Sequence, residues 1–378
     1  MAYPWRTDPS RDGGEPPLIR TLTRDAHQVF GETRRGGFRR SAARALEELE
    51  AFYLSDERRQ RLARMSPVWR WLVRLAWLLK SLILNLTPTR RVLLALALIL
   101  CIHAQWDGGR DSFSIDLDVL PIGLLLLLLM LELQDKLVAK SELQAGRVVQ
   151  QALLPKEAPR VPGWDVWIST RPANEVGGDL VDSVTHDDGR VGFVLADVSG
   201  KGLPAALLMA RLQATLLAFV SETPSLGALA SKLHSAFRKR GLENRFATLV
   251  YLELVPGSAG VRLVNAGHMP PLVVGPSRVE PLPRGGPALG IPTAVTYEEQ
   301  SVLLETGHTL VVYSDGVTEA MNEGNAFFGD ERLLANLRET AGQPAADVAR
   351  HLLAAVEAFV GDAHWHDDVS LTIVRRTG

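Results

Sequence analysis

Two apolar runs near residue 100 constrain this chain more than any other feature of its sequence. Residues 92–106 contain no Lys, Arg, Asp or Glu, and residues 119–131 read VLPIGLLLLLLML. A membrane-spanning helix usually needs about 20 predominantly apolar residues, with about 17 near the lower limit. Each run reaches that length only with its polar flanks, so the sequence predicts spans over about 90–106 and 117–133. Two buried helices of a soluble core are the alternative, although a Leu run without a polar face is unusual there.

The charges that flank these runs favour a membrane hairpin with both ends in the cytosol. Arg90 and Arg91 precede the first run, and Lys136 and Lys140 follow the second. The intervening loop, residues 107–118, carries four Asp and one Arg. Because basic residues are enriched on the cytoplasmic side of a membrane, both termini are expected to be cytosolic. The sequence thus predicts a multi-pass protein of the inner, or cytoplasmic, membrane.

Charge is divided unevenly along the chain. Residues 1–91 hold 18 Lys and Arg against 10 Asp and Glu, whereas the whole chain has a net charge of −2. Residues 65–87 mix Trp, Leu and basic side chains, which is typical of a helix at a membrane surface, with an ordinary packed helix as the alternative. Residues 1–64 are polar and basic, without the apolar core of a secretory signal or a motif that reads nucleic acid. The single cysteine, Cys101, excludes a disulfide scaffold and a multi-thiolate metal site.

Residues 131–154 connect the apolar runs to the rest of the chain. Apolar side chains recur there about every 3.6 residues, which predicts a helix with one apolar stripe. The positions include Leu133, Leu137, Val138, Val148 and Val149. This helical linker, assigned to 134–154, ends at Pro155. Its stripe is interpreted as a homodimer contact or signal relay, and packing onto its own domain is the equal alternative.

After Pro162 the sequence changes to short β-type runs separated by Gly, Asp and Pro. The predicted strands are WDVWIST (164–170), VGFVLADV (191–198), ATLVYLELV (247–255), VRLVNAG (261–267), TLVVYSDG (309–316) and VSLTIVRR (369–376). Helical patterns cover 203–220, 226–240, 332–340 and 345–360. Because strands outnumber crossover helices and several are consecutive, the pattern predicts an α+β sandwich of mostly antiparallel sheets.

Aspartates mark the ends of several of these strands. Asp179 follows two glycines, Asp197 and Asp315 each follow an apolar run, and Asp367 and Asp368 directly precede VSLTIV. Any one of them could simply form a turn, but packed strand ends can gather several carboxylates. Oxygen ligands without Cys or His select magnesium or manganese, and the local spacing of a calcium loop is absent. The pattern indicates two ions that activate a water and hold phosphoryl oxygens.

Six ordered motifs carry a family resemblance. They are PANEVGGDLVD (172–182), ADVSGKGLPAALLMA (196–210), NAGHMPPLVV (265–274), PALGI (287–291), YSDGVTEAMN (313–322) and DDVSLTIV (367–374). In this order they resemble the motifs of the PP2C-type metal-dependent serine/threonine phosphatases, most closely the bacterial SpoIIE/RsbU-like branch. The resemblance implies a domain over 155–378 with two β-sheets flanked by helices.

The resemblance also implies a ligand set for two divalent ions, Mn or Mg. Asp197 matches the aspartate that bridges the two metals, with the carbonyl of Val198 on one of them. Asp315 and Asp367 match the other acidic ligands of the first metal, and Asp368 is the alternate for Asp367. These positions are retained, which favours an active enzyme over an inactive relative.

The GGD motif adds a further acidic residue to this set. Asp179 resembles the residue that holds metal-bound water or completes the site. Gly177 and Gly178, together with Gly200, are expected to keep the backbone close to the ions, because a residue without Cβ allows close approach. Asp182 has an equal explanation in pairing within the adjacent strand.

Four other features of the sequence have ordinary structural roles as alternatives. Arg171 is a candidate for the cation that grips phosphate, with surface solvation as the alternative. His268 could donate a proton or be a turn or core histidine, and Met269 follows it where the family often has Asn. The SGKG segment at 199–202 lacks the remaining residues of a phosphate loop. His364 and His366 are interpreted as surface residues.

The implied reaction is hydrolysis of phosphoserine or phosphothreonine on a protein by metal-activated water, without a phosphoenzyme. The substrate class that the resemblance implies is a phosphorylated regulatory protein such as an anti-sigma-factor antagonist. Combined with the hairpin, the sequence predicts a membrane-anchored phosphatase gated by its helical linker, with no nucleic-acid partner. The alternative is a membrane signalling adaptor whose phosphatase-like domain mainly binds a partner.

Overall fold

The computed structural model describes two compact units, residues 1–134 and residues 135–378. The residues described are parts of 66–87, then 88–107, 119–155, 157–239, 245–293 and 295–378. The basic region 1–64 and residues 108–118 of the predicted loop lie outside this set.

The first unit contains helix α1 (Pro88–Asp107) and the beginning of helix α2 (Val119–Leu153). Arg90 donates hydrogen bonds of 3.0 Å from Nη1 to Glu132 Oε2 and from Nη2 to the carbonyl oxygen of Leu131. The start of α1 therefore lies beside residues 131–132, as expected for a helical hairpin. Large apolar side chains on both helices are exposed, among them Ile99 (62%) and Leu129 (58%).

Helix α2 is continuous through Leu153. The predicted helix over 131–154 is therefore observed, and it ends where Pro155 cannot continue the backbone hydrogen bonding. Several apolar side chains of its stripe are exposed, including those of Leu137, Val138, Val148 and Val149.

The second unit is built around two five-stranded antiparallel sheets. Sheet I has the order β1-β10-β9-β6-β7, formed by β1 (Trp164–Arg171), β10 (Val369–Arg376), β9 (Thr309–Tyr313), β6 (Leu272–Val274) and β7 (Val279–Pro281). Sheet II has the order β2-β3-β4-β5-β8, formed by β2 (Leu180–Thr185), β3 (Val191–Val198), β4 (Ala247–Leu254), β5 (Gly260–Ala266) and β8 (Glu299–Leu303).

Helices cover the outer face of each sheet. Helices α3 (Leu203–Val220) and α4 (Leu226–Lys239) pack on sheet II. Helices α5 (Asp315–Thr318), α6 (Gly329–Glu339) and α7 (Ala345–Val360) pack on sheet I. The sandwich predicted from the sequence, two antiparallel sheets flanked by helices, is confirmed.

Alternating side chains on the strands produce three apolar layers. On β3, Val194 and Ala196 pack against α3 and α4, whereas Phe193 and Leu195 point between the sheets. This alternation follows from the two-residue period of a strand. Because α3 is covered on one side only, the rest of its surface stays exposed, as at Leu207 (63%).

Helix α3 also meets the length and composition expected of a membrane span, and among the described helices it is the one that does so. Of its residues, 44% are buried. Its buried side chains, such as Met209 and Leu216, belong to the core on sheet II. The apolar composition of α3 is therefore explained by its packing on sheet II.

Antiparallel pairing brings several strand ends to one end of the sandwich. Asp197, near the end of β3, is paired with Thr248 at the start of β4. On the other side of β3, Ala196 is paired with Leu180 of β2. In sheet I, Tyr313 at the end of β9 pairs with Leu371 near the start of β10. This end of the molecule therefore collects the residues that follow or precede these strands.

Candidate active site

The five predicted acidic residues come from both sheets at this end of the sandwich. Asp197 lies one residue before the end of β3, and Asp179 directly precedes β2, both in sheet II. Asp315 follows β9 by two residues, and Asp367 and Asp368 directly precede β10, both strands of sheet I. The structure thus assembles carboxylates that are up to 189 residues apart in sequence.

Asp179 is held by a hydroxyl group of the opposite sheet. Its Oδ2 accepts a hydrogen bond of 2.5 Å from Ser370 Oγ, and the residue is 4% exposed. Because Ser370 is on β10, this bond ties the start of β2 to sheet I. The side chain has little freedom to leave the site.

Hydrogen bonds to Asp368 hold the backbone segment that carries the GGD motif. Its carboxylate accepts hydrogen bonds from the backbone N–H groups of Ala173 (2.8 Å), Gly178 (2.6 Å) and Asp179 (3.3 Å). At Gly177 a Cβ would stand 2.3 Å from Asp368 Oδ2, so a larger residue would displace this carboxylate. The oxygens of Asp368 are therefore engaged by backbone amides.

Asp367 faces a small open pocket together with a positively charged side chain. The pocket lining includes Asp197, Asp367, Asn174 and Lys201. Lys201 Nζ lies 3.2 Å from Asp367 Oδ2 and also donates to the carbonyl oxygen of His366. Since the side chains of Lys201 and Asp367 are 57% and 40% exposed, both can be reached from solvent.

Burial and mutual repulsion raise the pKa values of this cluster. Burial first, then Asp315 and Asp367, raises the pKa of Asp197 to about 7. Burial and Asp367 raise the pKa of Asp315 to about 6. The pKa of Asp179 is raised well above its ordinary value by burial, Asp197 and Asp368, and burial also raises the pKa of Asp368. The carboxylates therefore share one region of negative potential that positive charge would stabilise.

The donor set fits hard divalent ions by its chemistry. All the side-chain donors are carboxylate oxygens, the ligands that Mg²⁺ and Mn²⁺ prefer. The Val198 carbonyl, predicted as a further ligand, lies against Gly178, where a Cβ would be 2.9 Å from the oxygen. Among the described residues, no three His, Cys, Asp or Glu side chains form a preformed cage for an ion. The fit therefore rests on donor type and uncompensated charge.

The structure does not bring Asp182 or Arg171 to these carboxylates. Asp182 Oδ2 accepts a 2.7 Å hydrogen bond from Gln213 of α3, on the helix-covered face of sheet II. Arg171 Nη1 pairs with Glu357 at 2.6 Å, and its guanidinium lies 4.4 Å from the ring centre of Trp365. Pairing with other residues explains both side chains.

The histidines of the predicted motifs have different positions. His364 is exposed, and its ring lies 5.8 Å from that of His366 in an edge-on contact. His268 is 8% exposed and lies between β4 and β9. Burial lowers the pKa of His268 to about 4, so the ring is neutral near pH 7.

Two residues of the site were missed in the sequence. The sequence shows Lys201 only as part of an incomplete phosphate loop, although its position four residues after Asp197 is a usable signal. Gln150 of α2 donates from Nε2 to the Gly177 carbonyl at 2.7 Å and accepts from the Gly177 N–H at 3.1 Å. Nothing in the helical pattern distinguishes Gln150 from the neighbouring Gln151.

Comparison with known proteins places these observations in a family. Residues 187–377 match the family described as Stage II sporulation protein E (SpoIIE), which is half of the chain. Protein IcfG of Synechocystis sp. is 28% identical over 228 residues, covering 53% of this chain and 36% of IcfG. Phosphoserine phosphatase RsbU of Bacillus subtilis is 27% identical over 239 residues, covering 63% of this chain and 70% of RsbU. The chain thus spans well under half the length of IcfG and somewhat more than two thirds of RsbU.

The fold has a solved counterpart. The SiaA-PP2C domain of Pseudomonas aeruginosa superposes with a TM-score of 0.58 at 21% identity, covering 65% of this chain and 99% of that domain. At this identity the similarity shows a shared fold. Residues 187–377 match the family model and lie within the part of the chain that has the PP2C fold, so this chain belongs to the SpoIIE family.

Proposed function

We propose that this protein is a membrane-anchored, metal-dependent phosphatase that hydrolyses phosphoserine or phosphothreonine on a regulatory protein. The observation that carries the proposal is the convergence of Asp197, Asp315 and Asp367 from two sheets beside the exposed Lys201. A carboxylate cluster attracts divalent cations and repels a phosphate group. Hydrolysis of a phosphate ester beside these carboxylates therefore requires bound divalent ions.

The residues divide into ligands and supports. Asp197, Asp315 and Asp367 would hold two ions, with the Val198 carbonyl as a further donor and Asp179 completing the site. When bound, Mn²⁺ or Mg²⁺ lowers the pKa of water and neutralises phosphoryl oxygens. Asp368 acts as a support, because its oxygens accept three backbone hydrogen bonds.

Lys201 supplies the cation that faces the phosphate. An ammonium group has three N–H donors. Two donors of Lys201 are directed to Asp367 and to the His366 carbonyl, and the third remains for the phosphate. The side chain is on the segment between β3 and α3, where Gly200 and Gly202 both have positive φ angles, 101° and 70°. This backbone turns the lysine toward the pocket that Asp197 lines.

The relatives support a phosphoprotein substrate. RsbU bears the name phosphoserine phosphatase, and it shares this domain over 239 residues. A substrate such as an anti-sigma-factor antagonist is proposed from the family resemblance.

The end of α2 is attached to the loop that carries Asp179, which supports gating by the linker. Gln150 makes two hydrogen bonds to the backbone of Gly177, two residues before Asp179, and it is 6% exposed. Gln213 of α3 donates to the Leu153 carbonyl at 2.7 Å. Movement of this helical end would therefore displace the GGD segment.

The exposed stripe on α2 supports homodimerisation through the 131–154 helix. Val148 and Val149 are 67% and 63% exposed, and Leu137 and Val138 expose 58% and 50%. Apolar side chains at helical spacing are the usual contact in a pair of helices. A second copy of the same stripe would bury them.

Exposed apolar side chains also support the membrane hairpin. On α1 and the beginning of α2 these are Val92, Ile99, Ile102, Ile122, Leu126, Leu129 and Met130, each more than half exposed. Contact with lipid would remove these apolar side chains from water, which is favourable. The proposed location is the inner membrane, with the phosphatase domain on the cytosolic side.

The decisive experiment measures hydrolysis of an aryl phosphate and of a phosphoserine peptide by the full chain in detergent. Mn²⁺ or Mg²⁺ is added or chelated, and Asp197→Asn is compared with the wild type. We expect metal-dependent turnover that falls at least about a hundredfold in the variant, because the carboxylate shared by the ions is lost.

The matched control is Asp362→Asn, which changes an exposed aspartate after α7. It should retain wild-type turnover. Full activity of Asp197→Asn would contradict the proposed site. Metal binding without turnover on either substrate would instead favour the adaptor alternative.

A further inference from the structure

His268 occupies the space between the two sheets at the end that carries the carboxylates. It follows β5 by two residues and is 8% exposed. Its Nδ1 lies 2.7 Å from Thr248 Oγ1 of β4, and its Nε2 lies 3.0 Å from the carbonyl oxygen of Tyr313 on β9. One side chain therefore contacts sheet II through Thr248 and sheet I through Tyr313.

The chemistry of the partners determines the tautomer. The Tyr313 carbonyl can only accept, so Nε2 carries the proton and donates to it. Nδ1 is then an acceptor and receives the hydroxyl proton of Thr248. Since burial lowers the pKa of His268 to about 4, the ring keeps this neutral form near pH 7. Both ring nitrogens are engaged, which excludes the role of proton donor to substrate.

The backbone of His268 is fixed as well. Asn265 Oδ1 accepts from the His268 N–H at 2.8 Å, and Asn265 Nδ2 donates to the His268 carbonyl at 3.1 Å. At Gly267 φ is +72° and a Cβ would stand 2.4 Å from the Ala288 nitrogen, so the turn requires glycine. The NAGH motif is thus a turn built to present the imidazole at one place.

Both partners of the imidazole adjoin carboxylates of the candidate site. Thr248 is paired with Asp197 across β4 and β3. Tyr313 precedes Asp315 by two residues, and Ser314 between them is fully buried with its Oγ bonded to the Asp368 carbonyl at 3.0 Å. The imidazole therefore links the strand beside Asp197 to the strand that leads into Asp315.

We propose that His268 is a positioning residue that fixes the separation between Asp197 of sheet II and Asp315 of sheet I. The inference rests on the proposed function, since it assumes that these two carboxylates bind the same ions. Their separation then determines ion affinity. Without the imidazole, the Tyr313 carbonyl and the Thr248 hydroxyl lose a buried partner, and the two strand ends can shift apart.

The test measures Mn²⁺ affinity by titration calorimetry on the full chain in detergent, with thermal unfolding as a check of folding. His268→Phe is expected to weaken Mn²⁺ binding by about tenfold or more, which is the usual cost of losing a residue that orients ligands. His268→Gln can donate to Tyr313 and accept from Thr248, so it should recover most of the affinity. Recovery by this variant separates positioning from simple filling of space.

The matched control is His234→Phe. His234 on α4 is also a buried histidine (5% exposed), with Nδ1 3.0 Å from Tyr297 Oη and Nε2 3.1 Å from the Thr293 carbonyl. It belongs to the core on the outer face of sheet II. Its loss should lower the melting temperature and leave Mn²⁺ affinity unchanged.

A second variant guards against misfolding of His268→Phe. Thr248→Val keeps the shape of the side chain and removes the hydroxyl donor, and it should weaken Mn²⁺ binding by a few-fold. Unchanged affinity in His268→Phe, or in Thr248→Val if the former does not fold, overturns the proposal. So does an equal loss of affinity in His234→Phe. Failure of the wild type to bind Mn²⁺ refutes the proposed function itself, and this inference with it.

Discussion

The proposed hairpin unit, within residues 1–134, and the catalytic unit, residues 135–378, place their apolar side chains in opposite ways. In the hairpin, Ile99 and Leu129 are exposed, and Arg90 of the first helix makes polar contacts with residues 131–132 of the second. In the catalytic unit, apolar residues fill three layers, and polar residues with chemical roles gather at one end. Apolar composition alone does not separate these cases, because α3 is as apolar as a membrane span and nonetheless packs in a core.

In the proposed function, the two units have separate roles: the hairpin determines location, and the catalytic unit carries out hydrolysis. Surroundings decide what an apolar helix does: a sheet covers one side of α3, and lipid is proposed to cover the hairpin. The proposed reaction depends on the carboxylates that converge within residues 135–378. Substitutions should therefore affect turnover strongly in one unit and location in the other.

After Asp197→Asn, the largest effect on turnover is expected for Lys201→Met, which tests whether the catalytic end needs a cation as well as carboxylates. We expect kcat/KM to fall by about 10- to 100-fold, because a charge-assisted bond to phosphate is lost. Lys201→Arg should restore part of it. Lys232→Met, on α4 and bonded to Thr223, is the control. Equal activity of the two methionine variants would remove Lys201 from the site.

The electrostatic side of the comparison can be tested by pH. Asp197 and Asp315 have raised pKa values of about 7 and about 6, against an ordinary value of 3.8. The folded chain therefore binds more protons than the unfolded chain between these values, and the free energy of unfolding falls as pH rises from about 4 to about 7 in chelator.

Divalent ions should reverse this trend. Mn²⁺ competes with protons for the carboxylates, so its affinity increases over the same pH range. Melting temperatures in chelator and in Mn²⁺ should diverge as the pH rises. Asp197→Asn should weaken the pH dependence in chelator, mainly near pH 7, because the raised pKa of Asp315 remains. Curves that rise with pH in chelator would show that the carboxylate cluster is not under repulsion.

A smaller, several-fold effect is expected where the linker meets the catalytic unit. Gln150→Ala removes two hydrogen bonds to Gly177 and should change kcat of the full chain, whereas Gln151→Ala, at an exposed neighbouring position, should not. Identical kinetics in both variants would make α2 a passive connection.

The stripe on α2 permits a separate test. Val138→Asp and Val149→Asp should lower dimer content in analytical ultracentrifugation and change activity with it, because each places a charge on the exposed stripe. Loss of dimer without any change in activity would uncouple assembly from gating. Unchanged values in both measurements would favour passive packing.

The smallest effect on turnover is expected in the hairpin. Leu129→Arg should move protein from the carbonate-resistant membrane fraction to the soluble fraction, since a charge at mid-span is costly. Aryl phosphatase activity in detergent should stay within about twofold of wild type. An exchange at an exposed surface position, Glu142→Gln, serves as the control. A soluble wild-type protein would contradict the hairpin.

Sequence patterns predicted the long, well-buried elements of the catalytic unit. Strands β3 and β4 are mostly apolar runs that are buried along nearly their whole length, and the buried side chains of α3 and α7 recur at helical spacing. The short strands β6, β7 and β8 were not predicted, because three to five residues are too few to show a two-residue period. Neither was β2, whose LVDSVT carries three polar residues.

The acidic residues could be predicted because strand ends and glycines mark them. Their supports could not. Ser370 and Thr248 lie within ordinary strands, and their partners are distant in the sequence: Ser370 reaches Asp179 across 191 residues. Such bonds depend on how the two sheets stack, which no local pattern encodes.

The adjacent pair Asp367 and Asp368 is an instance of apparent redundancy that the structure removes. Both residues line the pocket, but the Asp367 carboxylate is partly exposed beside Lys201, whereas the Asp368 carboxylate accepts hydrogen bonds from the amides of residues 173, 178 and 179. Exchanging either for asparagine would therefore give different defects: lost ion binding for the first, and a collapsed GGD segment for the second. Two identical letters in the sequence thus cannot substitute for one another.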